Sequence, residues 1–159
     1  MADGRELTHV TADGSAHMVD VSDKAVTRRV ASAQAVLHTR ADVIALLVAG
    51  ELPKGEPLAV ARVAGIMAAK QTSALIPLCH PLPISGVTVE FTVGESSVQI
   101  VTTVTTTGVT GVEMEALTAA SVSALTLYDM IKAVDRGARI TGIEVLSKSG
   151  GASGDWSRS

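Results

Sequence analysis

Between positions 18 and 38, apolar and polar residues alternate in two runs separated by Ser22, Asp23 and Lys24. Val19 and Val21 line one side of the first run. In the second, Val26, Val30 and Val36 fall on even positions, opposed by Thr27, Arg29 and Ala31. A period of two predicts two strands joined by a turn. Thr39 then stands as the N-cap of a helix over 40–49, which Gly50 would end. Pro53, Gly55 and Pro57 mark a loop carrying Lys54, and a second helix is predicted over 58–70. Its small residues, Ala59, Ala61, Ala64, Gly65 and Ala68, permit close contact with another helix. The stretch TSALIPLCHPLPIS follows; Pro77, Pro81 and Pro83 remove donors and fix φ, so it reads as an ordered extended loop, not a helix. Val87, Val89, Phe91 and Val93 alternate with polar residues, a turn covers 94–97, and a Thr-rich run over 98–107 pairs back as a hairpin. Beyond Gly111 lies a helix whose residues 116–128 carry no charge, which predicts a central, enclosed element. A last strand over 140–146 completes the order ββααββαβ, an α+β two-layer sandwich with an antiparallel sheet.

The length of 159 residues is that of one domain. The expected layout is a flexible tail over 1–17, a single catalytic domain over 18–150 and a polar tail over 151–159. Apolar residues make up 47% and mean hydropathy is +0.36, yet no run of 18 apolar residues occurs, which argues against a membrane-spanning helix. The start, MADGRELTHV, lacks the apolar stretch of a secretory signal, and the lone Cys79 suits a reducing compartment; both point to the cytoplasm. A net charge of −3 and three aromatics argue against nucleic-acid binding. No Lys or Arg lies between Lys70 and Lys132. So charge-poor a half predicts burial between subunits, hence a homo-oligomer.

Candidate chemistry sits on few residues. Asp129 and Lys132, three apart at the end of the central helix, share a face. Either they are a solvated ion pair, or desolvation at the end of an uncharged helix tunes them for proton transfer. Glu115 falls about 40° from Asp129 around the helix but about 21 Å away along it. Glu113 and Glu115 would suit the helix dipole in the first turn. Cys79 and His80 are adjacent in an extended segment and point to opposite sides, so they do not share a metal; His9, His17 and His38 lack ligand spacing with them. His80 is either structural or a hydrogen-bonding ligand residue. Lys54 precedes Gly55, and Lys148 precedes Ser149–Gly150–Gly151, arrangements that let backbone N–H groups approach an anion. No phosphate-loop or dinucleotide glycine pattern is present.

Four segments, HMVDVSDK at 17–24, LIPLCHPL at 75–82, TGVEMEALTAASVSALTLYDMIKAV at 110–134 and KSGG at 148–151, resemble the MoaC family of cyclic pyranopterin monophosphate synthases in molybdenum cofactor biosynthesis. The resemblance spans nearly the whole chain in order. It implies a ferredoxin-like fold, a homohexamer built as a trimer of dimers, and active sites shared between subunits. It also implies a phosphorus–oxygen lyase reaction in which cyclic 3',8-dihydro-GTP, supplied by a radical SAM GTP cyclase, becomes cyclic pyranopterin monophosphate with release of pyrophosphate. By position, Asp129, Lys132 and Lys54 match catalytic residues, with Lys132 as a lysine of lowered pKa and Lys54 reaching in from another subunit. Leu78, Cys79, His80, Glu113, Met114 and Glu115 match substrate-contacting stretches, with His80 and Glu115 on the sugar or guanine edge. Lys70, Lys148 and Arg29, rather than the adjacent Arg28, match cations facing the phosphates. The resemblance departs at Val109, where such proteins often carry a basic residue, so it implies no phosphate contact from that side chain. No cofactor or protein-bound metal is implied, while Mg²⁺ on the substrate triphosphate stays open. Two rivals are a non-catalytic oligomeric nucleotide-binding module and a purely structural assembly subunit; neither explains why sparse charges gather in these motifs.

Overall fold

The structure, a computed structural model, describes residues 13–152 and 154–159. His9 and most of the tail expected over 1–17 therefore lie outside the described residues. Strand β1 (Thr27–His38) is followed by helices α1 (Ala41–Ala49) and α2 (Pro57–Lys70) and a single turn α3 (Thr72–Leu75). The hairpin β2 (Ile84–Val93) and β3 (Ser97–Gly108), helix α4 (Glu113–Ile131), β4 (Arg139–Ser149) and the two-residue β5 (Trp156–Ser157) complete it. The sheet is antiparallel with order β2-β3-β1-β4-β5, and β1 pairs with β3 from Thr27↔Gly108 to His38↔Ser97. With helices on one face, this is the expected α+β, ferredoxin-like sandwich.

Alternation sets the sheet's two faces. Ala31, Ala33, Ala35 and Leu37 of β1, with Val98, Ile100 and Val104 of β3, are buried beneath the helices. Ala116, Ala119, Ala120, Ala124, Leu127 and Ile131 of α4 meet them. The small side chains act as the sequence suggests. At Gly65 of α2 an added Cβ would collide with Ser123 Oγ and lie 3.0 Å from the Ala119 carbonyl of α4. Ser123 Oγ donates to the Ala61 carbonyl at 3.0 Å, and Thr102 Oγ1 donates to the Ala116 carbonyl at 2.7 Å, so the buried hydroxyls knit helix to helix and sheet to helix.

Four expectations are corrected. Residues 18–21 form no strand among the described elements; the turn from Val21 to Lys24 leads into β1, which starts only at Thr27. Thr39 does not cap α1: its hydroxyl donates to Asp135 Oδ2 at 2.7 Å, tying the helix entry to the α4–β4 connection. Gly50 does end that helix, at φ 72°. Thr72–Leu75 is helical because the restriction imposed by Pro77 begins at Ile76, which is extended at φ −109°, ψ 110°. Finally, α4 is enclosed toward the sheet and α2 only: Leu125 remains exposed, as do Val60, Val63 and Met67 of α2. Among the described residues no helix is long and apolar enough to cross a membrane.

Candidate active site

The sequence-predicted residues fall into two groups at opposite ends of α4. At its C-terminal end, Asp129 Oδ1 accepts from Lys132 Nζ at 2.7 Å and Oδ2 from Lys54 Nζ at 2.8 Å. Lys54 comes from the loop turned by Gly55 and also donates to the Asp129 backbone carbonyl at 2.8 Å. The three side chains are 40–52% exposed, so a single chain does not desolvate them. Hydrogen bonds from Lys132 and then Lys54 hold the Asp129 carboxyl down at about 2, and the hydrogen bond to Asp129 raises Lys132. This reverses the expectation of a lysine with lowered pKa. Lys54 thus meets Asp129 within one chain, and all three side chains stand together.

At the other end, the first turn of α4 and the proline-rich loop wall a cavity of about 350 Å³. Glu113, Met114 and Glu115 face Leu78, Cys79 and His80, and Val19, Val21 and Lys24 close a further side. Glu115 is buried, and desolvation, then the charge of Glu113, raises its pKa. Burial, then Glu115, likewise pushes the Cys79 thiol up, away from a nucleophilic thiolate. His80 lines the cavity, and its Nε2 lies 2.9 Å from the Val19 carbonyl oxygen.

A second, polar cavity of about 220 Å³ adjoins the first, the two sharing Lys24, Thr110, Gly111 and Glu113. Arg29, Val30, Val109, Lys148, Ser149 and Gly150 complete it. Lys148 Nζ pairs with Glu113 Oε1 at 3.2 Å, and Arg29 Nη2 donates to the Val109 carbonyl at 3.2 Å. Val109 thus contributes a main-chain acceptor to the site. Arg29 Nε is buried with no hydrogen-bond partner. Gly151, at φ 81°, passes so close that a Cβ there would collide with the Arg29 guanidinium. Arg28 lines neither cavity. Nor does Lys70, which sits exposed in the last turn of α2. Three cations against one carboxylate, with a guanidinium N–H unsatisfied, make this a place for an oxyanion.

Residues 18–151 match the MoaC family. The chain is 62% identical over 152 residues to the cyclic pyranopterin monophosphate synthase of Corynebacterium efficiens, covering 96% of this chain and 98% of that protein. It is 61% identical over 153 residues to cyclic pyranopterin monophosphate synthase 2 of Mycobacterium tuberculosis, covering 96% and 92%. It is 60% identical over 152 residues to the Herpetosiphon aurantiacus synthase, covering 94% and 93%. The chain belongs to the MoaC family.

The MoaC match begins at Met18, where the chain starts across the first cavity, and ends at Gly151, which closes over Arg29. All the sequence-predicted site residues lie inside it. Sequence reasoning missed Lys24, Val19 and Val21 as cavity residues although it quoted the segment that holds them. Their signal was a valine alternation that points two side chains one way whether or not a strand forms. It also missed Gly111 and Thr110, which the approach of Glu113 explains: a Cβ at Gly111 would collide with that carboxylate.

Proposed function

We propose that this MoaC-family protein is a cyclic pyranopterin monophosphate synthase of molybdenum cofactor biosynthesis. Its reaction would be that of a phosphorus–oxygen lyase, turning cyclic 3',8-dihydro-GTP from a radical SAM GTP cyclase into cyclic pyranopterin monophosphate and pyrophosphate in the cytoplasm. The observation that carries this reading is the 60–62% identity, over nearly full length, to proteins of that name.

The two cavities suit such a ligand. A pyrophosphate leaving group develops negative charge on its bridging oxygen as the sugar hydroxyl attacks the α-phosphorus. Arg29, Lys148 and Lys24 are the cations for that charge, and a phosphate oxygen would satisfy Arg29 Nε. The larger cavity would take the ring, with the buried Glu115, made harder to ionise, on its polar edge and Leu78 and Met114 on its faces. Among the described residues no group of three or more His, Cys, Asp or Glu side chains is placed to hold a metal.

Ring opening and closure need proton transfer, which falls to Lys132 with Asp129 and Lys54. In the free chain Lys132 is an ammonium and Asp129 a carboxylate, a pair ready to donate a proton rather than accept one. That pair stands about 21 Å along α4 from Glu115, too far to serve a ligand beside Glu115 in the same chain. A homohexamer built as a trimer of dimers resolves this by bringing the Lys54–Asp129–Lys132 end of one protomer to the cavity of another. Covering the exposed Val60, Val63, Met67 and Leu125 would favour that assembly. Incubation with cyclic 3',8-dihydro-GTP and mass analysis of the products tests the proposal: pyrophosphate and a pterin product support it, whereas binding without chemical change would reduce the protein to a nucleotide-binding module.

A further inference from the structure

Past Gly151, where the family match ends, the chain turns back, the Gly154 N–H donating to the Gly151 carbonyl at 3.2 Å. Strand β5 then lies along β4, with Ser157 opposite Ser147 and Trp156 opposite Lys148. Its flanking residues seat it. The Arg158 N–H donates to the Leu146 carbonyl at 2.8 Å, and Arg158 Nε donates to the Val145 carbonyl at 2.8 Å. Arg158 Nη1 pairs with Glu144 Oε2 at 3.4 Å, and its guanidinium lies over the Trp156 ring, 5.6 Å from the centroid. Asp155 Oδ1 accepts from the Gly150 N–H at 3.1 Å. These contacts fall on the strand end that carries Lys148, Ser149 and Gly150 into the oxyanion cavity. Toward β1 that strand end is loosely tied. Ser32 pairs with Ser147 and Ala33 with Val145, so Leu146 is an extra residue with no partner on β1. Such a bulge disrupts the ladder locally, here two residues before Lys148, and the tail's bonds land on Val145 and Leu146, where the ladder is broken.

We propose that residues 155–158 form a clip that braces the bulged end of β4 and so positions Lys148 for the phosphate groups of the ligand. Asp155 and Arg158 are then positioning residues: neither lines either cavity, and both act through Lys148. This rests on the reading of the polar cavity as an oxyanion site, and it names what holds one of that site's cations in place. Without the clip, β4 would be an edge strand whose one remaining ladder is broken beside Lys148. Lys148 would then move with the strand end, away from the place it shares with Glu113. Asp155 has a second consequence. By accepting from the Gly150 N–H it occupies a main-chain donor that would otherwise face an anion, which leaves the oxyanion to the side-chain cations. Strain in the turn that keeps these contacts intact does not release the clip.

The test uses the full-length assembled protein and inorganic pyrophosphate. Asp155→Ala combined with Arg158→Ala removes the side-chain contacts while leaving the net charge unchanged, so long-range attraction for the anion is preserved. Both residues are exposed, and Arg158→Ala alone replaces the pair should the double variant fail to assemble. Kd for pyrophosphate by calorimetry should rise about fivefold, the worth of one ordinary hydrogen bond, and hydrogen exchange at the amides of residues 146–150 should quicken by about the same factor. In a Lys148→Ala background the same pair should change Kd by less than about twofold, because the group it positions is gone. A Kd left at the parent value overturns the clip. An equal loss in the Lys148→Ala background also overturns it, since general loosening would then account for the effect. Failure of the parent protein to bind pyrophosphate would refute the oxyanion reading of the cavity, and the purpose of the clip with it. A protein that binds pyrophosphate but does not turn over cyclic 3',8-dihydro-GTP would refute the proposed reaction and not the clip.

Discussion

Gly151→Ala separates a backbone effect from a ligand effect at the same residue. Gly151 has φ 81°, in the left-handed region, where a residue with a Cβ is strained by about 1–2 kcal/mol. Its Cβ would also collide with Arg29 Nη1, leaving the guanidinium to swing away from the oxyanion cavity and drop its bond to the Val109 carbonyl. Arg29 is flexible, so the collision is relieved by movement rather than unfolding, and the stability loss should stay at about 1–2 kcal/mol. Binding suffers more. Removing one charge-assisted hydrogen bond to a phosphate costs about 1.5–3 kcal/mol, or about 10- to 150-fold in affinity. Gly154→Ala is the control, because Gly154 has φ 69° but nothing within 4 Å of the added Cβ. Denaturant melts at fixed protomer concentration, with Kd for pyrophosphate by calorimetry, should show both variants similarly destabilised and Gly151→Ala alone weakened in binding. Equal Kd values for the two variants would refute the idea that Gly151 is there to let Arg29 into the cavity.

Four further outcomes are expected. Gly65→Ala should destabilise by about 2 kcal/mol despite the better helix propensity of alanine, because Ser123 must leave its bond to Ala61; Ser123→Ala in the same chain should recover part of the loss in denaturant melts. Lys132→Ala should lower kcat at least about 100-fold while leaving the oligomer folded, measured by product formation and sedimentation. Asp129, with its pKa depressed to about 2 against an ordinary 3.8, contributes stability that is present above pH 3.8 and lost as pH falls through about 2; the gap between parent and Asp129→Asn in acid melts should close over that window. Glu115 shifts the other way: its raised pKa means the folded state loses stability as pH climbs from its ordinary value of 4.5 through the folded value. Glu115→Gln should therefore flatten that part of the stability–pH curve.

The elements with long, regular patterns were legible in the sequence: the alternation of Val87, Val89, Phe91 and Val93, the hairpin return through Thr102 and Thr106, the uncharged α4, and Gly50 as a helix stop. Short patterns were not. Two valines two residues apart describe an extended segment equally well on a sheet or over a cavity, and only the partner 61 residues away decides which. Thr39 looked like a cap because local spacing cannot show a buried Asp135 competing for its hydroxyl. For the site, the motifs supplied residue identities, and the 21 Å between Glu115 and Asp129 already followed from helical rise. What spacing could not give was which group each cation joins: Lys54 closes on Asp129, Arg29 and Lys148 on the oxyanion cavity, and Lys70 on neither. Those are tertiary choices, made by packing between segments far apart in the chain.

An active site assembled from the two ends of α4 in different protomers requires both ends to be intact, but not in the same chain. Lys132→Ala and Lys148→Ala each remove one half, so each homo-oligomer should be inactive on cyclic 3',8-dihydro-GTP. After subunit exchange in an equal mixture, about a quarter of the sites would hold both intact halves, and activity should return to that fraction of the parent level. A mixture that exchanges subunits, verified by mass, yet stays at the baseline of the separate variants would contradict the shared site.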